Sequence, residues 1–140
     1  MFLDLNSSVR VEDLLRGVII QSGNDACIVL AEGIAGSETA FADMMTKHAR
    51  DIGLESATFR NSTGWPHPEH KISLYDLASL AERTIRDYPE FYPLYAEKSF
   101  KWNGISQGNR NPLLGRFTGA DGLKTGHTEA SGYGLSLIHI

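Results

Sequence analysis

The segment 121–127, Asp-Gly-Leu-Lys-Thr-Gly-His, places an ammonium, a hydroxyl and bare glycine backbone within a few residues of one another. Asp121-Gly122 predicts a tight turn, because glycine accepts the positive φ that such turns need. Lys124 and Thr125 would then lie along a strand edge, where they suit an anionic or carbonyl-bearing ligand. Gly126 would let such a ligand approach the main chain closely. The alternative is an ordinary β-hairpin whose lysine faces water.

A second polar cluster, Ser22-Gly23-Asn24, interrupts an apolar run about a hundred residues earlier in the chain. Serine and asparagine favour caps and turns, and glycine breaks regular structure, so we expect two buried helices to meet here. Ser22 and Asn24 would then lie inside the protein or in a cleft, where each needs a hydrogen-bonding partner. The alternative is that Ser22 or Asn24 simply caps the second helix.

The composition indicates one globular domain, since 41% of the 140 residues are hydrophobic and 21% are charged. The net charge of −4, without a long basic run, argues against nucleic acid as the main partner. No uninterrupted apolar stretch is long enough to span a bilayer, and Asp4 and Arg10 interrupt the first segment, so we recognise no signal peptide. Cys27 lies in an apolar run and is interpreted as a buried structural thiol.

His67 and His70 have a spacing that can share a metal on a helix, but Pro66 and Pro68 argue against a helix at this point. No further cysteine or histidine cluster completes a set of four ligands. The sequence therefore predicts neither a metal site nor a cofactor.

Hydrophobic periodicity and turn signals predict a mixture of helices and short strands. Two short strands around a turn are predicted within residues 1–11. The later predicted elements are helices from Glu12, over residues 26–34, after an N-cap at Ser37 and after an N-cap at Ser73, a helical turn over 91–95, and a strand over 99–102 ending at the turn Asn103-Gly104.

Ser22-Gly23-Asn24 and Lys124-Thr125-Gly126 together resemble the second and third motifs of penicillin-binding proteins and serine β-lactamases. Gly23 stands where the general motif has aspartate, and this variant resembles the D-alanyl-D-alanine carboxypeptidases, the low-molecular-mass penicillin-binding proteins. The resemblance extends to the segments 11–17, 20–26, 102–105, 109–111 and 121–128 and covers residues 1 to about 135. It implies an α/β (α+β) fold of the β-lactamase/transpeptidase type, of which this chain supplies the helical cluster and part of an antiparallel sheet.

The resemblance also implies a chemistry, in which a serine attacks the D-Ala–D-Ala carbonyl of a peptidoglycan stem peptide and water later releases the acyl-enzyme. It assigns catalytic roles to three residues. Ser22 relays a proton to the leaving amine, Asn24 holds the substrate amide or orients the nucleophile's lysine, and Lys124 supplies positive potential. The substrate-binding residues that it implies are Thr125 and Arg110 for the terminal carboxylate, Gly126, and the backbone N–H of His127 for the oxyanion.

Two departures from the family pattern lead to further expectations. No Ser-x-x-Lys motif occurs in the chain, so we expect these 140 residues to be a truncated, inactive part of a catalytic domain. Residues 136–140, Ser-Leu-Ile-His-Ile, differ from the family's small and apolar strand, and we expect them to be a non-native tail. Without the missing part we also expect exposed apolar surface near Leu14, Ile19 and the strand at Gly132–Leu135.

The resemblance implies partners and a location as well. The partners are stem peptides ending in D-Ala-D-Ala and, for the full-length enzyme, β-lactam antibiotics, with membrane contact only through segments outside these 140 residues. The implied location is extracytoplasmic, in the periplasm or on the outer face of the cytoplasmic membrane. Two alternatives stay open: a catalytically dead module that binds peptidoglycan peptides, and an unrelated helical interaction protein.

Overall fold

A computed structural model describes residues 1–135, which form four α-helices followed by two β-hairpins. The arrangement is the predicted α+β combination of a helical cluster with antiparallel strands. The elements in chain order are α1 (Val11–Gln21), α2 (Asn24–Ala35), α3 (Glu38–Asp51), α4 (Leu74–Asp87), a 3-10 helix (Tyr92–Ala96), β1 (Ser99–Trp102), β2 (Ile105–Gly108), β3 (Thr125–Thr128) and β4 (Gly132–Leu135).

The predicted N-caps of α3 and α4 are confirmed. The hydroxyl of Ser37 accepts a hydrogen bond from the Ala40 N–H at 3.1 Å, and that of Ser73 accepts one from Asp76 at the same distance. Each hydroxyl satisfies a backbone donor that has no partner inside its own helix. Gly53, with φ of 85°, follows the C-cap residue Ile52 of α3, in the left-handed conformation that glycine commonly supplies after a helix.

The two hairpins are separate two-stranded antiparallel sheets. β1 pairs with β2 through Trp102 opposite Ile105, and the connecting residues Asn103 and Gly104 both have positive φ, of 47° and 78°. This is the backbone that a two-residue hairpin turn requires, and it confirms the turn predicted from Asn-Gly. β3 pairs with β4, so the strand expected at Gly132–Leu135, after the segment 121–127 (the lysine segment), is also confirmed.

The predicted strands within residues 1–11 are wrong. Residues 1–10 contain a turn and otherwise irregular backbone, with positive φ at Phe2 and Asn6. The backbone N–H of Leu3 donates to a carboxylate oxygen of Asp25 at 3.1 Å, which explains the absence of a strand at this point. A side chain of α2, rather than a neighbouring strand, satisfies the backbone here, so no ladder forms.

The apolar core lies mainly between α1, α2 and β1, where Leu14 and Ala26 are buried against Phe100 and Trp102. A second cluster, formed by Ala49, Leu54 and Ala57, packs beneath Leu80 of α4. The expected exposed patch does not include Leu14 and Ile19 of α1, which are only 4% and 8% exposed, although Val11 of the same helix is 63% exposed. It is present on the second hairpin, where Tyr133 of β4 is 90% exposed.

The segment that leads into β3 differs from its prediction. Asp121 and Gly122 form no tight turn, and Gly122 is not among the glycines with positive φ. Gly122 is needed for another reason, because a Cβ added there would lie 2.8 Å from the Tyr92 hydroxyl oxygen. The proposed non-native tail, 136–140, lies outside the described residues. In the part of the chain that the structure describes, no helix has both the length and the apolar character to cross a membrane.

Candidate active site

Ser22 sits at the point where α1 ends and has an unusual backbone conformation. Its φ and ψ of 52° and 45° lie in the left-handed region, which glycine ordinarily occupies at a helix C-terminus. The N–H of Ser22 donates to the carbonyl of Gly17, and the N–H of Gly23 donates to the same carbonyl at 3.0 Å, so the chain turns out of the helix at this point. For a residue with a side chain this conformation costs about 1–2 kcal/mol. A serine is therefore kept where glycine would be more stable, which points to a use for its hydroxyl.

Neither Ser22 nor Asn24 caps the second helix with its side chain, so that alternative is wrong. The N-cap of α2 is Gly23, with no side-chain hydrogen bond. Gly23 is confined, since an added Cβ would lie 3.0 Å from a carboxylate oxygen of Asp25 and 3.3 Å from the Gly17 carbonyl. Glycine at this position therefore lets the chain turn from α1 into α2 without a steric clash.

Lys124 meets Ser22 across 102 positions of sequence. Its Nζ donates to the Ser22 Oγ at 2.7 Å and to the backbone carbonyl of Thr125 at 2.5 Å. Because the ammonium is the donor, the hydroxyl hydrogen of Ser22 stays available for a third group, such as a leaving amine. The pair can therefore pass a proton between the lysine and a ligand beside the hydroxyl.

The electrostatics of the pair are set by burial and by one neighbouring cation. Burial lowers the pKa of Lys124 below its ordinary value, and the charge of Arg110 lowers it further, while Cys27 opposes the change. A lowered lysine pKa makes proton transfer near neutral pH easier. Among the ion pairs within residues 1–135, neither Lys124 nor Arg110 has a carboxylate partner, so both charges can serve an anionic ligand.

The structure brings the remaining predicted residues to the same region to different degrees. Arg110 is exposed and close enough to act on Lys124. Thr125 is half-buried and starts β3, where it pairs with Leu135. Asn24 is the first residue of α2, next to Ser22, but it is exposed and its side chain makes no hydrogen bond within the described residues. Its contact with substrate or with the nucleophile's lysine stays a prediction.

Gly126 and His127 lie along β3, on the hairpin that follows the lysine. A Cβ added at Gly126 would meet nothing within 4 Å, so this stretch of main chain is open to a ligand. β3 pairs only with β4 among the described strands, which leaves outward-pointing backbone groups along its other edge. The His127 ring packs 4.0 Å from that of Tyr133 and is exposed. The oxyanion role of its N–H stays a prediction.

Cys27 lies half-buried one turn into α2, and burial raises the pKa of its thiol, although Lys124 acts in the opposite direction. A raised pKa disfavours the reactive thiolate, in agreement with a structural role. Within residues 1–135, no three metal-ligating side chains of the histidine, cysteine or carboxylate types come together.

Two residues around the lysine segment, Tyr92 and Asn111, were not singled out as functional by the sequence. Tyr92, which lies in the helical turn predicted over 91–95, donates its hydroxyl hydrogen to a carboxylate oxygen of Asp121 at 2.8 Å. Asn111 donates to the carbonyl of Gly122 at 2.9 Å in a buried hydrogen bond. The repeated asparagine on either side of Arg110 was the available signal, because asparagine side chains commonly bind nearby backbone. Nothing in the sequence signals the contact of Tyr92.

Comparison with known proteins agrees with the motifs. A family model described as D-alanyl-D-alanine carboxypeptidase matches residues 1–138. D-alanyl-D-alanine carboxypeptidase DacD of Escherichia coli is 48% identical over 136 residues, which are 96% of this chain and 35% of that protein. The chain thus spans about a third of the length of the curated relatives it matches.

Solved structures show the same fold. Penicillin-binding protein 5 of Haemophilus influenzae is 46% identical with a TM-score of 0.93, and the match covers 98% of this chain and 40% of the other. Penicillin-binding protein D2 of Listeria monocytogenes, in its ampicillin-bound form, is 27% identical with a TM-score of 0.80, covering 94% and 59%. The predicted transpeptidase-type fold is therefore confirmed for this part of it.

Proposed function

The chain belongs to the D-alanyl-D-alanine carboxypeptidase family, and on that premise we propose that it forms part of the catalytic domain of a serine-type D-Ala-D-Ala carboxypeptidase. The proposed substrates are peptidoglycan stem peptides, and the proposed location is extracytoplasmic. Membership of the family rules out the alternative of an unrelated helical interaction protein. We also propose that β-lactams acylate the complete active site, since a relative of the same fold has been solved with ampicillin.

One observation carries this proposal, the hydrogen bond of 2.7 Å from Lys124 to Ser22. The two residues belong to motifs that lie far apart in the sequence, and the contact between them places both motifs at one site. Lys124 donates to the Ser22 hydroxyl, and the charge of Arg110 acts on the lysine ammonium. A peptide carboxylate would be attracted by both cations, while its scissile amide would face the hydroxyl.

The reaction would divide between residues of this chain and a serine that these 140 residues do not supply in a Ser-x-x-Lys motif. That serine, whose proton would pass to the lysine of the same motif, would attack the carbonyl of the penultimate D-Ala, and the C–N bond to the terminal D-Ala would break to leave an acyl-enzyme that water later hydrolyses. Ser22 would pass its proton to the leaving amine and recover one from Lys124. Arg110 and Thr125 would bind the terminal carboxylate, with Asn24 on the substrate amide and β3 from Gly126 to His127 beside the developing oxyanion.

A chimera tests the proposal. Residues 1–135 replace the matching segment of the Escherichia coli relative, which supplies the rest of the enzyme, and D-Ala release from a stem-peptide analogue is measured together with labelling by fluorescent penicillin. We expect both activities, and we expect Lys124→Ala to reduce D-Ala release by about 10²-fold or more. Lys101→Ala, which changes an exposed lysine of β1, is the matched control and should be neutral.

The outcomes separate the two functions still open. A folded chimera that binds the peptide analogue but neither releases D-Ala nor takes up penicillin would favour the catalytically dead binding module. An active chimera in which Lys124→Ala and Lys101→Ala behave alike would show that the contact between Lys124 and Ser22 has no part in catalysis.

A further inference from the structure

Two side chains hold the backbone immediately before Lys124 from different directions. On one side, Tyr92 binds the Asp121 carboxylate at 2.8 Å, and its ring carbons would lie 3.3 Å from a Cβ added at Gly122. The main chain therefore rests directly on the tyrosine ring, a close approach that only glycine permits. On the other side, the Asn111 side-chain amide binds the Gly122 carbonyl at 2.9 Å. Asp121 and Gly122 are thus fixed three and two residues, respectively, before the lysine.

The same asparagine is rigidly anchored and adjoins Arg110. Asn111 is only 4% exposed; its backbone N–H donates to the Asn109 side chain at 3.0 Å, and its own side-chain oxygen accepts from Leu113 at 3.0 Å. Asn109 in turn donates to the backbone carbonyls of Tyr95 and Glu97. Arg110 therefore lies between two asparagines, and the side-chain oxygen and nitrogen of each are hydrogen-bonded. One of these amides ties the arginine's backbone directly to the lysine segment.

We propose that Tyr92 and Asn111 are positioning residues, which together clamp Asp121-Gly122 and so fix the Lys124 ammonium relative to the Ser22 hydroxyl and the Arg110 guanidinium. The importance of this positioning for catalysis rests on the proposed carboxypeptidase function, but the clamp itself does not. A lysine has a long and flexible side chain, so the contact of 2.7 Å with Ser22 depends on where its backbone is held. Burial and the Asp121 carboxylate both raise the pKa of Tyr92, which keeps the hydroxyl protonated as the donor that the clamp needs.

The chain contains a matched control for the tyrosine. Tyr95 lies on the same 3-10 helix, with its ring centroid 5.9 Å from that of Tyr92, but its hydroxyl makes no hydrogen bond within the described residues. Tyr92→Phe and Tyr95→Phe each remove one hydroxyl from neighbouring rings, and only the first removes a bond to the lysine segment. Asn111→Ala removes the other half of the clamp without adding a charge.

The readout is the titration of Lys124, followed by NMR in the 140-residue chain with ¹³C-labelled lysine and assigned with Lys124→Arg. The groups that act on Lys124 are Arg110 and Cys27, and both burial and Arg110 lower its pKa. A loosened clamp lets the ammonium move into water and away from Arg110. We therefore expect Tyr92→Phe and Asn111→Ala each to raise the pKa of Lys124 by about 0.5 or more. Tyr95→Phe should leave it unchanged.

Unchanged titration of Lys124 in both clamp variants would overturn the proposal and leave Tyr92 and Asn111 with a structural role. An equal shift in Tyr95→Phe would overturn it as well. If Asn111→Ala does not fold, the tyrosine pair decides alone. In the chimera, Tyr92→Phe should lower kcat about tenfold with KM nearly unchanged, because the change affects proton transfer rather than binding. An inactive chimera would count against the proposed function, whereas the titration tests the clamp by itself.

Discussion

The left-handed backbone at Ser22 predicts that glycine is more stable than alanine at this position, whereas the reverse is expected at a serine with helical backbone. At position 22 the φ of 52° costs a residue with a Cβ about 1–2 kcal/mol. Glycine avoids this cost, but its greater freedom in the unfolded chain offsets about 0.4–1 kcal/mol of the gain. Ser22→Gly and Ser22→Ala both remove the hydroxyl bonded to Lys124, so the difference between them isolates the backbone conformation. We expect the glycine variant to be more stable by about 1 kcal/mol.

Ser79 supplies the control, because it lies in the interior of α4 with helical backbone. There glycine is less stable than alanine by about 1 kcal/mol, so Ser79→Ala should be more stable than Ser79→Gly. The preference for glycine over alanine should thus differ by about 2 kcal/mol between the two positions. Urea unfolding of the four variants, followed by circular dichroism, measures this difference directly.

The same variants separate stability from function. In the chimera, Ser22→Gly and Ser22→Ala should lose D-Ala release to a similar extent although their stabilities differ, because what they share is the missing hydroxyl. If Ser22→Ala proved at least as stable as Ser22→Gly, Ser22 could not be held in the left-handed region. The inference that a strained serine is retained for its hydroxyl would then fail.

Three further results are expected. Gly23→Ala should destabilise the chain by about 1–3 kcal/mol in urea unfolding, because its Cβ would crowd the Gly17 carbonyl. Gly33→Ala has open space around it in α2 and should stabilise the chain by about 0.5–1 kcal/mol. Equal effects of the two substitutions would contradict the crowding at Gly23. The isolated 140-residue chain should take up no penicillin, and mass spectrometry that located an acyl group on any of its serines would refute the roles assigned to the motifs. Hydrogen bonds from the Ser56 side chain and backbone lower the pKa of the Asp76 carboxyl, so its contribution to stability is complete above the ordinary aspartate pKa and is lost as pH falls through the lowered value. Asp76→Asn should therefore reduce the loss of unfolding free energy as the pH falls, whereas Asp43→Asn, at an exposed position, should not. Parallel plots of unfolding free energy against pH for Asp76→Asn and the wild type would contradict this.

Local sequence predicted most of the secondary structure, because the signals that carry it act between near neighbours. Ser37 and Ser73 cap helices through bonds to residues three positions on, and Asn103-Gly104 closes a hairpin through its own backbone preferences. The strands expected within residues 1–11 failed for the converse reason. Their backbone is satisfied by Asp25, which lies 22 positions away from Leu3.

The two polar motifs were also visible in the sequence, since an ammonium, hydroxyls and glycines that interrupt apolar runs stand out by residue type alone. The sequence could not decide what those glycines do. Gly122 was expected to form a turn, yet it is required because the Tyr92 ring lies against it, a contact between parts of the chain about thirty residues apart.

What the sequence determined by itself is the set of chemical groups and the family to which their pattern belongs. Tertiary structure alone decided that Lys124 donates to Ser22 across 102 residues, that Ser22 occupies a conformation that favours glycine, and that Tyr92 and Asn111 hold the lysine's backbone. The physical reason is range: propensities and caps act within a few residues, whereas a proton-transfer distance is set by how separate elements pack. That packing depends on the whole core and on no single motif.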